Sequence, residues 1–206
     1  MKRCFIFSAG SFYSLYEKPQ DGDLVIAADA GLLLCKELQI NPDYVMGDFD
    51  SMDFPFSAAN VMRFPVEKDD TDTMLAVKKA IELGCGEIFI YGGTGGKRMD
   101  HSLANIAALA FARKSACKPY LYDDDFVYTV IDSESLEITK TVDDGLISVF
   151  AFGGDATGVY IKGAQYELEN AALSSYVPVG VSNHMRDEKT VISCVQGLLL
   201  IGWQLK

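Results

Sequence analysis

Six aspartates gather in three short stretches of this chain: Asp29 in "AADAG", Asp48 and Asp50 in "GDFDS", and Asp69, Asp70 and Asp72 in "EKDDTDT". Bare carboxylates so close together repel one another and bind phosphate badly. Mg²⁺ turns that repulsion into an asset, because it takes oxygen ligands, keeps some of its waters, and joins carboxylates to substrate phosphates. In an extended "DFD", Asp48 and Asp50 point to one side and Phe49 to the other, so both carboxylates can reach a cleft. A fourth stretch, "GGTGGKRMDH", brings glycines whose backbone amides can approach an anion, the basic pair Lys97 and Arg98, and His101. It is neither the dinucleotide fingerprint nor the phosphate-binding loop of the nucleotide hydrolases. The chemistry these residues suit is metal-assisted handling of a phosphorylated ligand.

Each stretch also has a plainer reading. Asp and Gly are ordinary turn formers, and His101 can simply bond backbone at a helix start. What separates the readings is position. The four stretches come directly after the apolar runs "LVIAA", "DYVM", "NVMRFPV" and "EIFIY", and in open α/β sheets ligands bind beyond the C-terminal ends of the strands.

The elements around them fit that edge. "RCFIF", "DLVIAA", "DYVM", "NVMRF", "EIFIY" and "KPYLY" read as short buried strands. "TDTMLAVKKAIELG" reads as a helix with Met74, Val77, Ala80 and Ile81 on its apolar face, Thr71 or Asp72 at its N-cap, and Gly84 as its stop. "DHSLANIAALAFARK" is a second helix, ending on the basic residues Arg113 and Lys114. This alternation predicts an α/β domain with a mostly parallel sheet over residues 1–132. Beyond it, "SLEITKTV", "GLISVFAF", "GVYIKGAQYELE", "KTVISCVQ" and "LLLIGWQL" are strand-like runs between turn residues, which predicts a β-sandwich over 133–206.

Bulk composition narrows the partners. The 206 residues carry a net charge of −11, which gives no bulk attraction for nucleic acid or anionic lipid. No apolar run approaches the roughly 20 residues of a membrane span. "MKRCFIF" loses its apolar character at Ser8, too soon for a secretory signal. The cysteines Cys4, Cys35, Cys85, Cys117 and Cys194 are scattered and odd in number, which suits reduced thiols and a cytoplasmic protein.

As an ordered set, "ADAG", "GDFDS", "KDDTD", "GGTGGKRMDH" with "LAN" after it, and a late "SN" resemble the thiamin pyrophosphokinase family over essentially the whole chain. The resemblance implies an α/β nucleotide-binding domain followed by a β-sandwich. It implies transfer of the diphosphoryl group of ATP to thiamin, a Mg²⁺ requirement, and a homodimer with thiamin sites at the subunit interface. Carried over by position, Asp48, Asp50 and Asp72 match the metal-organising and catalytic acids, joined by Arg98. Asp29, Lys68, Asp69, Thr71, Arg98, Asp100, His101 and Asn105 match the ATP-binding set. Ser182 and Asn183 match the pair facing the thiamin pyrimidine. Asp72 or Asp50 is expected to accept the hydroxyl proton. Where the family motif usually has two glycines, this chain has Ala30 before Gly31, which is tolerable if Ala30 has ordinary helix N-terminal backbone. Trp203 is expected to pack in the sandwich. Two rivals stay open: a pyrophosphokinase for another primary alcohol such as a pterin, or a non-catalytic sensor of nucleotide or thiamin diphosphate.

Overall fold

The computed structural model describes residues 1–47, 60–63, 69–96 and 98–206. They form two compact units, Met1–Asp124 and Asp125–Lys206.

The first unit runs β1 (Arg3–Phe7), β2 (Leu24–Ala28), α1 (Gly31–Glu37), β3 (Tyr44–Gly47), β4 (Asn60–Arg63), α2 (Asp72–Glu82), β5 (Glu87–Tyr91), α3 (Met99–Lys114) and β6 (Lys118–Tyr122). Its strands lie in the order β4-β3-β2-β1-β5-β6, and every described pairing is parallel. Strands covered on both faces must be apolar throughout, which is why all of β2 and all but the first residue of β1 and β5 are buried. Phe5 stacks on Phe89, and Phe7 on Tyr91, which stacks in turn on Tyr122. Burial pushes the Tyr91 and Tyr122 hydroxyls well above the usual phenol range.

Two helical expectations meet the structure differently. The stop of α2 is as expected: Gly84 takes φ +76° and its N–H donates to Ile81 O. The buried face, however, is Thr73, Ala76, Val77 and Ala80, with Met74 and Ile81 only half-buried. Thr73 faces inward because its hydroxyl meets that of Ser8, and this fixes the rotation of the helix.

The second unit comprises β7 (Phe126–Asp132), β8 (Ser135–Thr139), β9 (Leu146–Lys162), β10 (Leu168–Leu173), β11 (Asn183–His184), β12 (Lys189–Ser193) and β13 (Gln196–Gln204). The order is β7-β13-β9-β12-β8, with β10 and β11 also on β9 and each described pairing antiparallel. β9 serves two sheets. Residues up to Thr157 pair with β13, and residues 160–162 pair with β12. The change falls between Phe152 and Tyr160, where Gly153, Gly154 and Gly158 take φ of +71°, +157° and +62°, and a strand changes sheet at such bends. Ile147, Val149, Val159, Ile161, Leu199 and Ile201 meet in one core, and Trp203 packs against it.

The division at Asp124 and Asp125 lies eight residues before the expected 132. The apolar pattern groups β7 with the first domain, yet β7 pairs with β13 from Phe126 to Asp132. The turn residues "DSES" mark the β7–β8 connection, whereas "DDD" at 123–125 spans the division. All five cysteines are free and buried. Among the described residues no helix is long and apolar enough to cross a membrane.

Candidate active site

Strand order reverses between β1 and β5. At such a switch point the connections leave in opposite directions and open a crevice beyond the strand ends. A cavity of about 640 Å³ lies there, lined by the segments after β1, β2 and β5 and by the first turns of α2 and α3.

Backbone geometry shapes one wall. Gly92, Gly95 and Gly96 take φ of +66°, +68° and +75°, a left-handed conformation that glycine adopts without strain. This loop is stitched to the one after β1: the Gly10 N–H donates to Gly92 O at 2.7 Å and the Ser11 N–H to Thr94 O at 2.9 Å. A β-carbon on Gly10 would lie 2.5 Å from both carbonyl oxygens, so only glycine permits the approach. From α3, buried Asn105 donates its Nδ2–H to Gly93 O at 2.7 Å. Thr94 donates its hydroxyl to Asp123 Oδ1 at 2.7 Å.

Carboxylates shape the opposite wall. Asp29 sits at φ +51°, with its N–H on Met46 O and its carbonyl receiving the Leu32 N–H. Ala30 after it has helical backbone, φ −62° and ψ −7°, so its methyl is accommodated as expected. Thr71 caps α2 by accepting the Met74 N–H at 3.2 Å. That cap places Asp70 and Asp72 beside the cavity, with Asp70 bonded to Lys78 at 2.6 Å.

Asp29, Thr71, Asp72, Arg98, His101 and Asn105 therefore share one cavity. Asp69 and Asp100 do not line it. Arg98 at its rim pairs with Asp100, and that partnership raises the Arg98 pKa and lowers the Asp100 carboxyl. Asp48, Asp50, Lys68 and Lys97 lie outside the described residues. Sequence reasoning missed Ser8, Gly10 and Thr73. The signal was available, since "SAG" comes after a strand as the acidic stretches do, but it lacks charge.

The arrangement presents backbone amides and two helix N-termini, which favour anions, opposite carboxylates, which do not. A hard cation with oxygen ligands reconciles them, and Asp29, Asp70 and Asp72 are donors of that class. Among the described residues no three acidic, histidine or cysteine side chains stand close enough to hold a metal. Two of the three expected ligands, Asp48 and Asp50, are outside that set.

In the second unit, Ser182 is exposed at φ +56° and its N–H donates to Ser148 Oγ. Asn183 is buried. Its Oδ1 accepts from the N–H groups of Tyr166 and His184, and its Nδ2 donates to Tyr166 O at 2.8 Å. The amide thus clamps the strand backbone.

A family model described as "Thiamin pyrophosphokinase, catalytic domain" matches residues 18–121, and "Thiamin pyrophosphokinase, vitamin B1 binding domain" matches 134–199. A thiamine pyrophosphokinase of Bacillus subtilis (strain 168) is 29% identical over 184 residues, covering 86% of each chain. The crystal structure of thiamine pyrophosphokinase from Bacillus subtilis superposes with a TM-score of 0.89 at 28% identity, over 98% of this chain and 99% of that one. Thiamin pyrophosphokinase from Candida albicans, at 12% identity and a TM-score of 0.79 over 100% and 89% of the two chains, shows the same fold.

Proposed function

Because the chain belongs to the thiamin pyrophosphokinase family, we propose that it transfers the diphosphoryl group of ATP to thiamin, giving thiamin diphosphate and AMP. The observation that carries the reading is the cavity at the β1/β5 switch point, which joins a glycine-rich amide wall to Asp29, Asp70 and Asp72.

In the reaction the primary hydroxyl oxygen of thiamin bonds to the β-phosphorus of ATP. The bond from that phosphorus to the oxygen bridging to the α-phosphorus breaks, and AMP leaves with that oxygen. Such a transfer needs positioning and charge neutralisation more than covalent help. The loop at 92–96 and the N-terminus of α3 receive phosphate oxygens, and Arg98 adds positive charge at the rim. Asn105 acts by fixing Gly93, and Thr71 by capping α2, so each positions the wall. Asp29 and His101 complete the nucleotide cavity; Lys68, Asp69 and Asp100 join this set by resemblance. Asp72, with Asp48 and Asp50, would hold Mg²⁺, which would supply charge neutralisation at the phosphates. The hydroxyl proton passes late in the transfer to Asp72 or Asp50.

Ser182 and Asn183 are assigned to the thiamin site on the same resemblance. The Asn183 amide is engaged with Tyr166, which supports a positioning role and leaves the exposed Ser182 as the contact. We assign a homodimer with shared sites and a cytoplasmic location as part of the same proposal. A pterin acceptor or a sensor role is not favoured by family membership. The test is incubation with ATP, Mg²⁺ and thiamin: AMP and thiamin diphosphate appear in equal amounts. ATP turnover without thiamin diphosphate, or none at all, would reject the assignment.

A further inference from the structure

Ser8 and Thr73 stand 65 residues apart in sequence. Ser8 directly follows β1 at the switch point, and Thr73 lies in the first turn of α2. Both line the cavity, yet they are only 4% and 7% exposed. Their hydroxyl oxygens are 2.9 Å apart, and either can be the donor.

Two hydroxyls carry two protons and the bond between them uses one. The other O–H meets no acceptor among the described residues, and both side chains border the cavity. A buried donor left without an acceptor is costly; an anion in the cavity removes that cost. We propose that Ser8 and Thr73 form a hydroxyl dyad that donates one hydrogen bond to a phosphate oxygen of the bound nucleotide.

The dyad suits that ligand for three reasons. It sits between the acidic first turn of α2 and the amide loop after β5, where the phosphate chain must pass. It is neutral, so it adds a donor without adding repulsion beside Asp72. Its partners also pre-orient it, since the Ser8 N–H is held by Tyr91 O at 2.8 Å and Thr73 is fixed by the helix capped at Thr71. Neither residue carries a charge, which is why composition gives no hint of the dyad.

The inference rests on the nucleotide reading of this cavity, but its test does not need turnover. Equilibrium binding of α,β-methylene ATP, with Mg²⁺ present, is measured for wild type, Ser8→Ala, Thr73→Val, the double variant and Thr73→Ser. The expected result is binding weakened about tenfold or more in at least one single variant, the one that removes the hydroxyl donating to the phosphate, which is the loss for one hydrogen bond to a charged group. The double variant should be little worse than the more affected single one, since the dyad gives one bond to the phosphate, and Thr73→Ser should stay near wild type. Analogue affinity within twofold of wild type in Ser8→Ala and Thr73→Val, with only the melting temperature lowered, would make the dyad a packing contact and overturn the proposal. Should Thr73→Val prove insoluble, Thr73→Ala takes its place, and both positions are still compared. Wild-type protein that binds the analogue but forms no AMP with thiamin would reject the assigned activity and leave the dyad standing.

Discussion

Gly31 packs directly against the backbone of Phe7 at the strand edge: a β-carbon on Gly31 would lie 1.9 Å from Phe7 O. Its neighbour Ala30 carries a methyl at ordinary helical φ and ψ. The two positions of one motif thus obey different rules. One needs glycine for space; the other needs nothing special.

Gly31→Ala should therefore cost about 3 kcal/mol or more, the upper end of overpacking, because the obstacle is backbone. Ala30→Gly should change stability by less than about 0.5 kcal/mol, since glycine is no worse than alanine at a cap. Denaturant melts of both variants check the contrast.

Asp72→Asn tests the acidic wall. The substitution keeps size and removes charge. Turnover should fall about 100-fold or more, the scale of losing one electrostatic element of a transition state. Stability should fall by no more than about 1 kcal/mol, from the lost interaction with the N-terminus of α2. EDTA should abolish wild-type turnover and Mg²⁺ restore it. Full activity after chelation would leave the carboxylates without their role.

The first unit carries an acid-sensitive tie away from the cavity. Arg3 Nε lies 3.1 Å from both oxygens of Asp23, its terminal nitrogen lies 2.5 Å from Oδ2, and the Gln20 N–H adds another bond. This holds the Asp23 carboxyl below the ordinary carboxylate range, Arg3 being the main cause. A depressed carboxyl stabilises above its unfolded pKa, and the contribution is lost as pH falls through the folded value. Asp23→Asn should melt lower than wild type at neutral pH, and the gap should close as pH falls below the ordinary carboxylate range. A gap constant across that window would detach the tie from stability.

Mixed subunits test the shared thiamin site. Ser182→Gly suits this better than a change at Asn183, because glycine is at ease at φ +56°, whereas Asn183 holds up Tyr166. Asp72→Asn and Ser182→Gly subunits, each inactive alone, should regain about a quarter of wild-type activity on random mixing, one intact site per heterodimer. No recovery would place both halves of the site in one chain.

Features that depend on neighbours in the chain were legible in the residues alone. The six apolar runs of the first unit are its six described strands within a residue or two, because strands buried on both faces must be apolar along their length. The Gly84 stop, the basic end of α3 and the stretches at the strand ends are likewise local, and they suffice to place the chain in its family.

Contacts between distant segments had to wait for the fold. The strand order puts β1 beside β5, which welds Gly10 to Gly92 and brings Ser8 to Thr73, so α2 turns Thr73 inward instead of Met74. β7 resembles the strands before it in composition, and only its pairing with β13 moves it to the second unit. Gly153 and Gly154 read as a turn between two strands, yet they lie within one strand that passes from sheet to sheet. Asn183 reads as a ligand contact, yet its amide is held by Tyr166. Propensity and periodicity act within a few residues, whereas a buried hydroxyl or amide is satisfied by whichever backbone the fold brings to it.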